Sequence, residues 1–244
     1  MISAALDDLI ARAESDPTVL GVVLSGSQAR DGMATGHSDV DVYVIVPAYG
    51  GAWSDTKRSP EIDEIPYSLA NLEDRSDRWQ RYSFRGAKVL LDRMDGGIAE
   101  RVRAQAMLTP AEAAEFAREQ LDGYINFVYR AAKNSRDGRP DLARLEEIEA
   151  APWFLETLFA LHHRVRPYNK YLRWELDTHP LPAPWTADFL INALIERPSA
   201  LFVDLEPLAR DRGFADVVDG WDDLDLIRAY AAAPVSEERG RPGP

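Results

Sequence analysis

The eight residues Asp39-Val40-Asp41-Val42-Tyr43-Val44-Ile45-Val46 alternate so regularly that they demand an extended strand. Successive side chains of a strand point to opposite faces. Val40, Val42, Val44 and Val46 therefore share one face, and Asp39, Asp41, Tyr43 and Ile45 share the other. The two carboxylates stand roughly 6–7 Å apart at Cα. Like charges that close repel, and one is driven to take a proton unless a cation lies between them. Mg²⁺ is the expected cation, because it prefers carboxylate oxygens and shares its shell with water and substrate phosphates.

A second strand comes before this one. Gly21 to Ser25 sets Val22, Val23 and Leu24 in a row between small residues, the pattern of a short buried strand. Gly26-Ser27 then turns the chain, and Gln28-Ala29-Arg30 can open a short helix. A helix start presents amide N–H groups that lack intrahelical acceptors, together with the positive end of the dipole, which suits phosphate oxygens. Gly26 has no Cβ, so a phosphate can approach the backbone, and the Ser27 hydroxyl adds a donor. Taken singly, a Gly-Ser turn is an ordinary loop and alternating acids are a solvated face. Strand, turn and acid-bearing strand in succession point to an enzyme that handles a nucleoside triphosphate.

Gly26-Ser27 and Ser38-Asp39-Val40-Asp41 resemble the signature of the polymerase-β-like nucleotidyltransferase superfamily. In layout the chain is closest to its kanamycin (aminoglycoside) nucleotidyltransferases. The resemblance implies a mixed β-sheet with helices on one side, Mg²⁺-dependent use of an NTP (ATP is expected), and transfer of NMP to an acceptor. It implies Asp39 and Asp41 as catalytic metal ligands, and Gly26, Ser27, Arg30 and Ser38 as nucleotide contacts. A third carboxylate from a neighbouring strand is also implied, with Asp63, Glu64 and Asp92 as candidates. Glu64-Ile65-Pro66-Tyr67-Ser68 resembles a Glu-Val-x-Phe-x-Ser strand of the kanamycin group, which favours Glu64. Asp92 ends a strand before a turn, where an acid is ordinary.

In the second half, Glu119-Gln120-Leu121-Asp122-Gly123-Tyr124 looks like the helix that carries the general base in that group. The matching position here is Gly123, which cannot act, so Glu119, Asp122 or a carboxylate of the nucleotidyltransferase domain (Asp63, Glu64 or Asp92) remains as the candidate base. Leu161-His162-His163-Arg164 is similar to another segment of the group. Adjacent residues on a helix point about 100° apart, so at most one His faces a given triphosphate or acceptor. Arg164 to Glu175 is dense in Arg, Lys and aromatic residues. Such side chains neutralise phosphate and stack on bases; Lys170 is the candidate contact, beside Tyr168 and Asn169.

A net charge of −13 over 244 residues disfavours a general binder of DNA or RNA backbone. It accommodates a small polycationic acceptor such as an aminoglycoside. With no Cys and four His, there is no disulfide and no convincing zinc site. No apolar run approaches a membrane span, and the first residues carry acids rather than a basic leader, so a cytoplasmic location is expected. The expected partners are an NTP and a small hydroxylated acceptor, without membrane or nucleic acid; a homodimer is compatible. Transfer to protein or tRNA, of the toxin–antitoxin type, is the alternative acceptor class. A catalytically silent nucleotide-binding module is the alternative of a different kind.

The fold class read from these patterns is α+β. A nucleotidyltransferase domain of mixed sheet and helices covers 1–108, a helical bundle covers 109–233, and a tail over 234–244 is expected to be disordered. Expected elements of the first part are a helix over 4–13, strands over 21–25, 39–46, 64–70 and 88–92, and helices over 72–81 and 98–107. Pro66 marks the third strand as an edge or a bulge. Pro47 to Pro60, with Trp53 inside, reads as a mobile loop near the site. Thr109-Pro110-Ala111-Glu112 is a helix start. Helices then follow over 110–132, 139–168 (broken near Pro152), 185–195, 199–213 and 222–232.

Overall fold

The computed structural model describes residues 4–234. Beyond Pro234 the expected tail lies outside the described residues, as do the first three residues. The chain is an α+β protein whose contacts divide it into two compact units, Met1–Leu108 and Thr109–Pro244.

In the first unit the order is α1 (Ala4–Ser15), β1 (Gly21–Leu24), α2 (Gly26–Ala29), β2 (Val40–Val46), β3 (Lys57–Arg58), β4 (Ile62–Ser68), α3 (Leu69–Glu73), α4 (Arg78–Arg81), β5 (Lys88–Asp92) and α5 (Gly97–Gln105). The strands make one five-stranded mixed sheet in the order β3-β4-β2-β1-β5. β2 and β4 run parallel, with Asp41 opposite Asp63, and the other pairs are antiparallel. β3 pairs only with Asp63 and Glu64. At Pro66 the outer side of β4 thus has no strand partner among the described residues, the environment in which a strand tolerates proline.

Helices cover both faces of the sheet rather than one. Val40, Val42, Val44 and Val46 pack with Leu6 and Leu9 of α1. On the other face Tyr43 and Ile45 pack with Leu72 of α3 and with Ile98 and Val102 of α5. Beyond Asp41 the strand β2 is apolar on both sides, so each side needs a cover. Trp53 belongs to the α1 side. It is 3 % exposed, its Nε1 donates to Asp16 at 2.9 Å, and the Arg12 guanidinium lies 5.5 Å from its ring centre. Trp53 thereby anchors the middle of the 47–60 segment on the face the acids do not use, while Arg58 near its end reaches Asp63.

The helix expected over 72–81 forms as two. The Ser68 hydroxyl accepts from the Asn71 N–H and caps α3, and the Asp77 carboxylate accepts from the Gln80 N–H and caps α4. Each cap satisfies amides a continuous helix would have used, so it starts a new one. A short 3-10 helix, Tyr82–Phe84, follows α4.

The second unit consists of helices, with no strand among its described residues: α6 (Pro110–Arg136), α7 (Pro140–Leu161), α8 (Leu172–Thr178), α9 (Ala187–Glu196), α10 (Phe202–Asp211), α11 (Ala215–Asp219) and α12 (Leu224–Ala232). α6 opens with a capping box between Thr109 and Glu112. Gly123 lies against α7, and a Cβ there would sit 2.2 Å from the Trp153 ring. The residue that fills the expected base position is thus glycine because an indole occupies its side-chain space. α7 runs unbroken through Pro152. Phe154, Leu155, Leu158 and Phe159 just beyond are buried, and packing of that face outweighs the one amide bond proline removes. No helix among the described residues is long and apolar enough to cross a membrane.

α7 stops at Leu161, seven residues before the expected end. The His163 N–H donates to Ala160 C=O and the Arg164 N–H to Phe159 C=O, with His163 at φ 58. This is a Schellman close, with His in the left-handed position that glycine usually takes. His162 and His163 therefore sit in the chain reversal rather than on a helix face. The His162 Nε2 is buried and finds no hydrogen-bond partner among the described residues. Burial, then the nearby charges of Arg212 and Arg164, push its pKa from 6.5 down to about 4.

That depression has a definite sign. Above the ordinary value of 6.5, both folded and unfolded chains hold a neutral ring and nothing is lost. As pH falls toward about 4, the unfolded chain takes the proton and the folded one does not, so stability drops; below that it levels. Part of the ring meets water, and screening reduces the expected loss to about 1–2 kcal/mol. Urea titrations at several pH values should show His162→Asn losing less stability than the parent between pH 6.5 and 4. Parallel curves for the two proteins would contradict this.

Candidate metal site and phosphate-binding turn

Asp39 lies just before β2, Asp41 is its second residue, and Asp63 is the second residue of β4. Parallel pairing sets Asp41 directly beside Asp63. One carboxylate oxygen from each of the three acids lies within 4.8 Å of the others; Asp39 is exposed, and Asp41 and Asp63 are half-buried. Arg58 approaches Asp63 at 3.5 Å and is itself largely exposed. An all-oxygen set of three carboxylates, open to water on one side, suits Mg²⁺, which keeps several waters and binds through few protein ligands.

The turn lies against this cluster. The Ser25 N–H donates to the Asp41 carbonyl at 2.8 Å, which brings Gly26 beside the Asp41 side chain. Gly26 has φ +63, and a Cβ built on it would lie 1.9 Å from Asp41 Oδ2. Glycine is required twice here, by the left-handed backbone and by the carboxylate that fills its side-chain space.

Arg30 holds the turn from inside. It is 2 % exposed; its Nη1 donates to the Gly26 carbonyl at 2.6 Å and its Nη2 to the Tyr82 carbonyl at 3.1 Å. The Ser25 hydroxyl donates to the Ser83 carbonyl at 2.6 Å. Arg30, expected as a nucleotide contact, is thus committed to backbone carbonyls beneath the turn; charge-assisted bonds of this kind fix geometry. Ser27 is also buried, at 2 % exposure. Ser38 shapes the loop that enters β2, its hydroxyl accepting from the Thr35 N–H at 3.0 Å.

Glu64 is not brought to the aspartates. It follows Asp63 on a strand, so it points the opposite way, and there it forms a two-bond pair with Arg12 of α1 at 2.6 and 3.2 Å. The acid beside the pair is Asp63. The signal was present in the sequence: Asp63, Ile65 and Tyr67 repeat at period two as Asp41, Tyr43 and Ile45 do. Asp92 lies opposite Gly21, at the far end of β1 from the turn. Burial alone would raise its pKa, but the amides of Met94, Ala99 and Ile98 outweigh that and hold it below the ordinary carboxylate value. Its role is to tie β5 to the start of α5.

The remaining candidates belong to the second unit. Lys170 is exposed on a short 3-10 helix, Asn169–Tyr171, with its Nζ 5.2 Å from the Tyr171 ring centre. Glu119 and Asp122 line an open groove with Arg118, Asp216 and Trp221. Asp122 accepts from Trp221 Nε1 at 3.1 Å. No family model matches this chain, and no curated protein matches it.

Proposed function

We propose that this chain is a metal-dependent nucleotidyltransferase that moves NMP from an NTP, with ATP the expected donor, to a hydroxyl of a small acceptor of the aminoglycoside type. The observation that carries this reading is the convergence of Asp39, Asp41 and Asp63 beside Gly26, where the Asp41 carboxylate fills the space of the missing Cβ. The net charge of −13 favours a cationic acceptor over a polyanionic one. The nucleotidyltransferase part corresponds to the first unit and a helical bundle to the second.

Asp39, Asp41 and Asp63 would hold Mg²⁺, which when bound supplies positive charge for the phosphate oxygens. The Gly26-Ser27 turn would present its amides to the triphosphate tail, and the bond from Arg30 to the Gly26 carbonyl would keep it rigid so that the donors need not reorganise. Asp63 would take the proton of the acceptor hydroxyl; Glu64 lies on the opposite face of β4, paired with Arg12. The acceptor oxygen bonds to the α-phosphorus, the bond from that phosphorus to the β-phosphate oxygen breaks, and pyrophosphate leaves. A positioned base contributes about 10²–10⁴-fold to such a step.

Incubation with α-labelled NTPs and Mg²⁺ against aminoglycosides, lincosamides, tRNA and cell protein tests the reading. Labelled NMP on a small aminoglycoside-like hydroxyl is the expected result. Label on tRNA or protein would replace the acceptor, and label nowhere, with all four NTPs, would remove the transferase assignment.

A further inference from the structure

Three helices of the second unit leave an apolar cavity of about 450 Å³ open to water. Ile148 and Leu155 of α7, Leu172 of α8, and Leu194 and Ile195 of α9 line it. Ile148 and Ile195 are 52 % and 64 % exposed, so hydrocarbon is bare at its rim. Small-molecule pockets have this make-up: about 300–1,000 Å³, mostly apolar, with a few polar groups that fix orientation. Here the polar groups are Arg166, Asn169 and Arg173. No carboxylate among the described residues lines the cavity, although the chain as a whole carries a charge of −13.

Arg166 is the unusual member. Its side chain is only 17 % exposed. Its guanidinium makes one hydrogen bond among the described residues, from Nη2 to Asn169 Oδ1 at 3.1 Å. Nε is buried without a partner. Nη1 lies 3.7 Å from Glu156 Oε1, beyond hydrogen-bond reach. A cation held largely out of water with so few acceptors costs free energy that an anionic ligand offsets. Arg173, by contrast, is committed to Asp188 at 2.7 Å, which ties α8 to α9.

We propose that this cavity binds a small amphipathic acid, its hydrocarbon body among the leucines and isoleucines and its carboxylate at Arg166. Guanidinium and carboxylate match in charge and in fork geometry. The lining residues all belong to the second unit, and the site does not depend on nucleotide chemistry. A polycationic acceptor has the wrong sign for it, so the ligand is a different molecule from that acceptor.

Titration calorimetry of the full chain with decanoate, decanol and decyltrimethylammonium, each below its micellar concentration, separates the parts. Decanoate should bind most tightly, decanol about tenfold more weakly, and the ammonium amphiphile more weakly still. The protein's overall charge favours the cation, so this order reports the arginine rather than the surface at large. Octanoate should bind more weakly than decanoate by about fourfold for each methylene lost. Arg166→Met should bring decanoate down to the level of decanol and leave decanol unchanged, and Arg166→Lys should recover part of the difference. Ala151 also lines the cavity, and Ala151→Phe, which fills it, should weaken decanoate and decanol together. Should Arg166→Met fail to fold, by its melting curve, the ranking of probes and the Ala151→Phe variant decide. Equal affinity for decanoate and decanol, tighter binding of the cation, or undiminished decanoate binding in Ala151→Phe would overturn the proposal. So would a dimer, seen by sedimentation, that Ala151→Phe abolishes and decanoate does not disturb; the groove would then belong to a second copy of the chain.

Discussion

Gly26→Ala is expected to destabilise the protein by about 2–4 kcal/mol. Two costs combine. The backbone at this position has φ +63, which an alanine adopts only with strain, and the new methyl would meet Asp41 Oδ2 at 1.9 Å. The turn backbone cannot give way cheaply, whereas the carboxylate sits at the end of a side chain and can swing aside. The turn is bonded through the Gly26 carbonyl to buried Arg30, and the Asp41 carbonyl accepts from the Ser25 N–H. Relief must come from moving the Asp41 side chain, so the variant should also lose response to divalent cations. Urea unfolding measures the first effect, and the shift of the melting temperature with added Mg²⁺ measures the second. A variant within about 0.5 kcal/mol of the parent, the range of harmless surface changes, would show that the close approach does not exist in solution.

Asp41→Asn carries the larger functional effect. Asparagine keeps the shape that packs against Gly26 and removes only the charge. If the proposed function holds, NMP transfer should fall by about 10³-fold or more, the scale of losing a metal ligand that acts on developing charge. A readout independent of turnover is available. If Mg²⁺ binds the parent, a hundredfold excess over its dissociation constant stabilises it by about 2.7 kcal/mol, and Asp41→Asn should lose that gain. Without metal the variant should be at least as stable as the parent, since three clustered carboxylates repel. Glu64→Gln supplies the contrast. It breaks the pair with Arg12, which is partly open to water, at a cost of about 1 kcal/mol, and should leave the Mg²⁺ response as it was. Loss of that response in Glu64→Gln together with its retention in Asp41→Asn would reverse the assignment of the third acid.

Much of the first unit was legible because its determinants are local. Strict alternation over 39–46 yields β2 whatever surrounds it, and the apolar run over 22–24 yields β1. Lys88 to Asp92 forms as read. The capping box at Thr109 starts α6 because its bonds lie within four residues. The juxtaposition of turn and acids was half-legible: the order of strand, turn and strand was plain, but the contact between Gly26 and Asp41 depends on how β1 and β2 register.

The misreadings share one cause, that a partner distant in sequence decided the matter. Asp63 against Glu64 is a question of which face of β4 meets β2, and the pairing of Val40 to Val46 with Ile62 to Ser68 answers it. The resemblance implied Arg30 as a nucleotide contact. The carbonyls of Tyr82 and Ser83, more than fifty residues on, claim it instead. Trp53 sits in a Gly-, Pro- and Ser-rich stretch that reads as loop, yet Asp16 and Arg12 bind it down. The amino-acid order alone settled what can be decided within a turn of helix or a pleat of strand: the strands β1, β2 and β5, the start of α6 at Thr109, and the pair Asp39 and Asp41. Only the folded chain settled which third carboxylate joins them and why residue 26 must be glycine, because both follow from register between strands and from space already occupied by another residue.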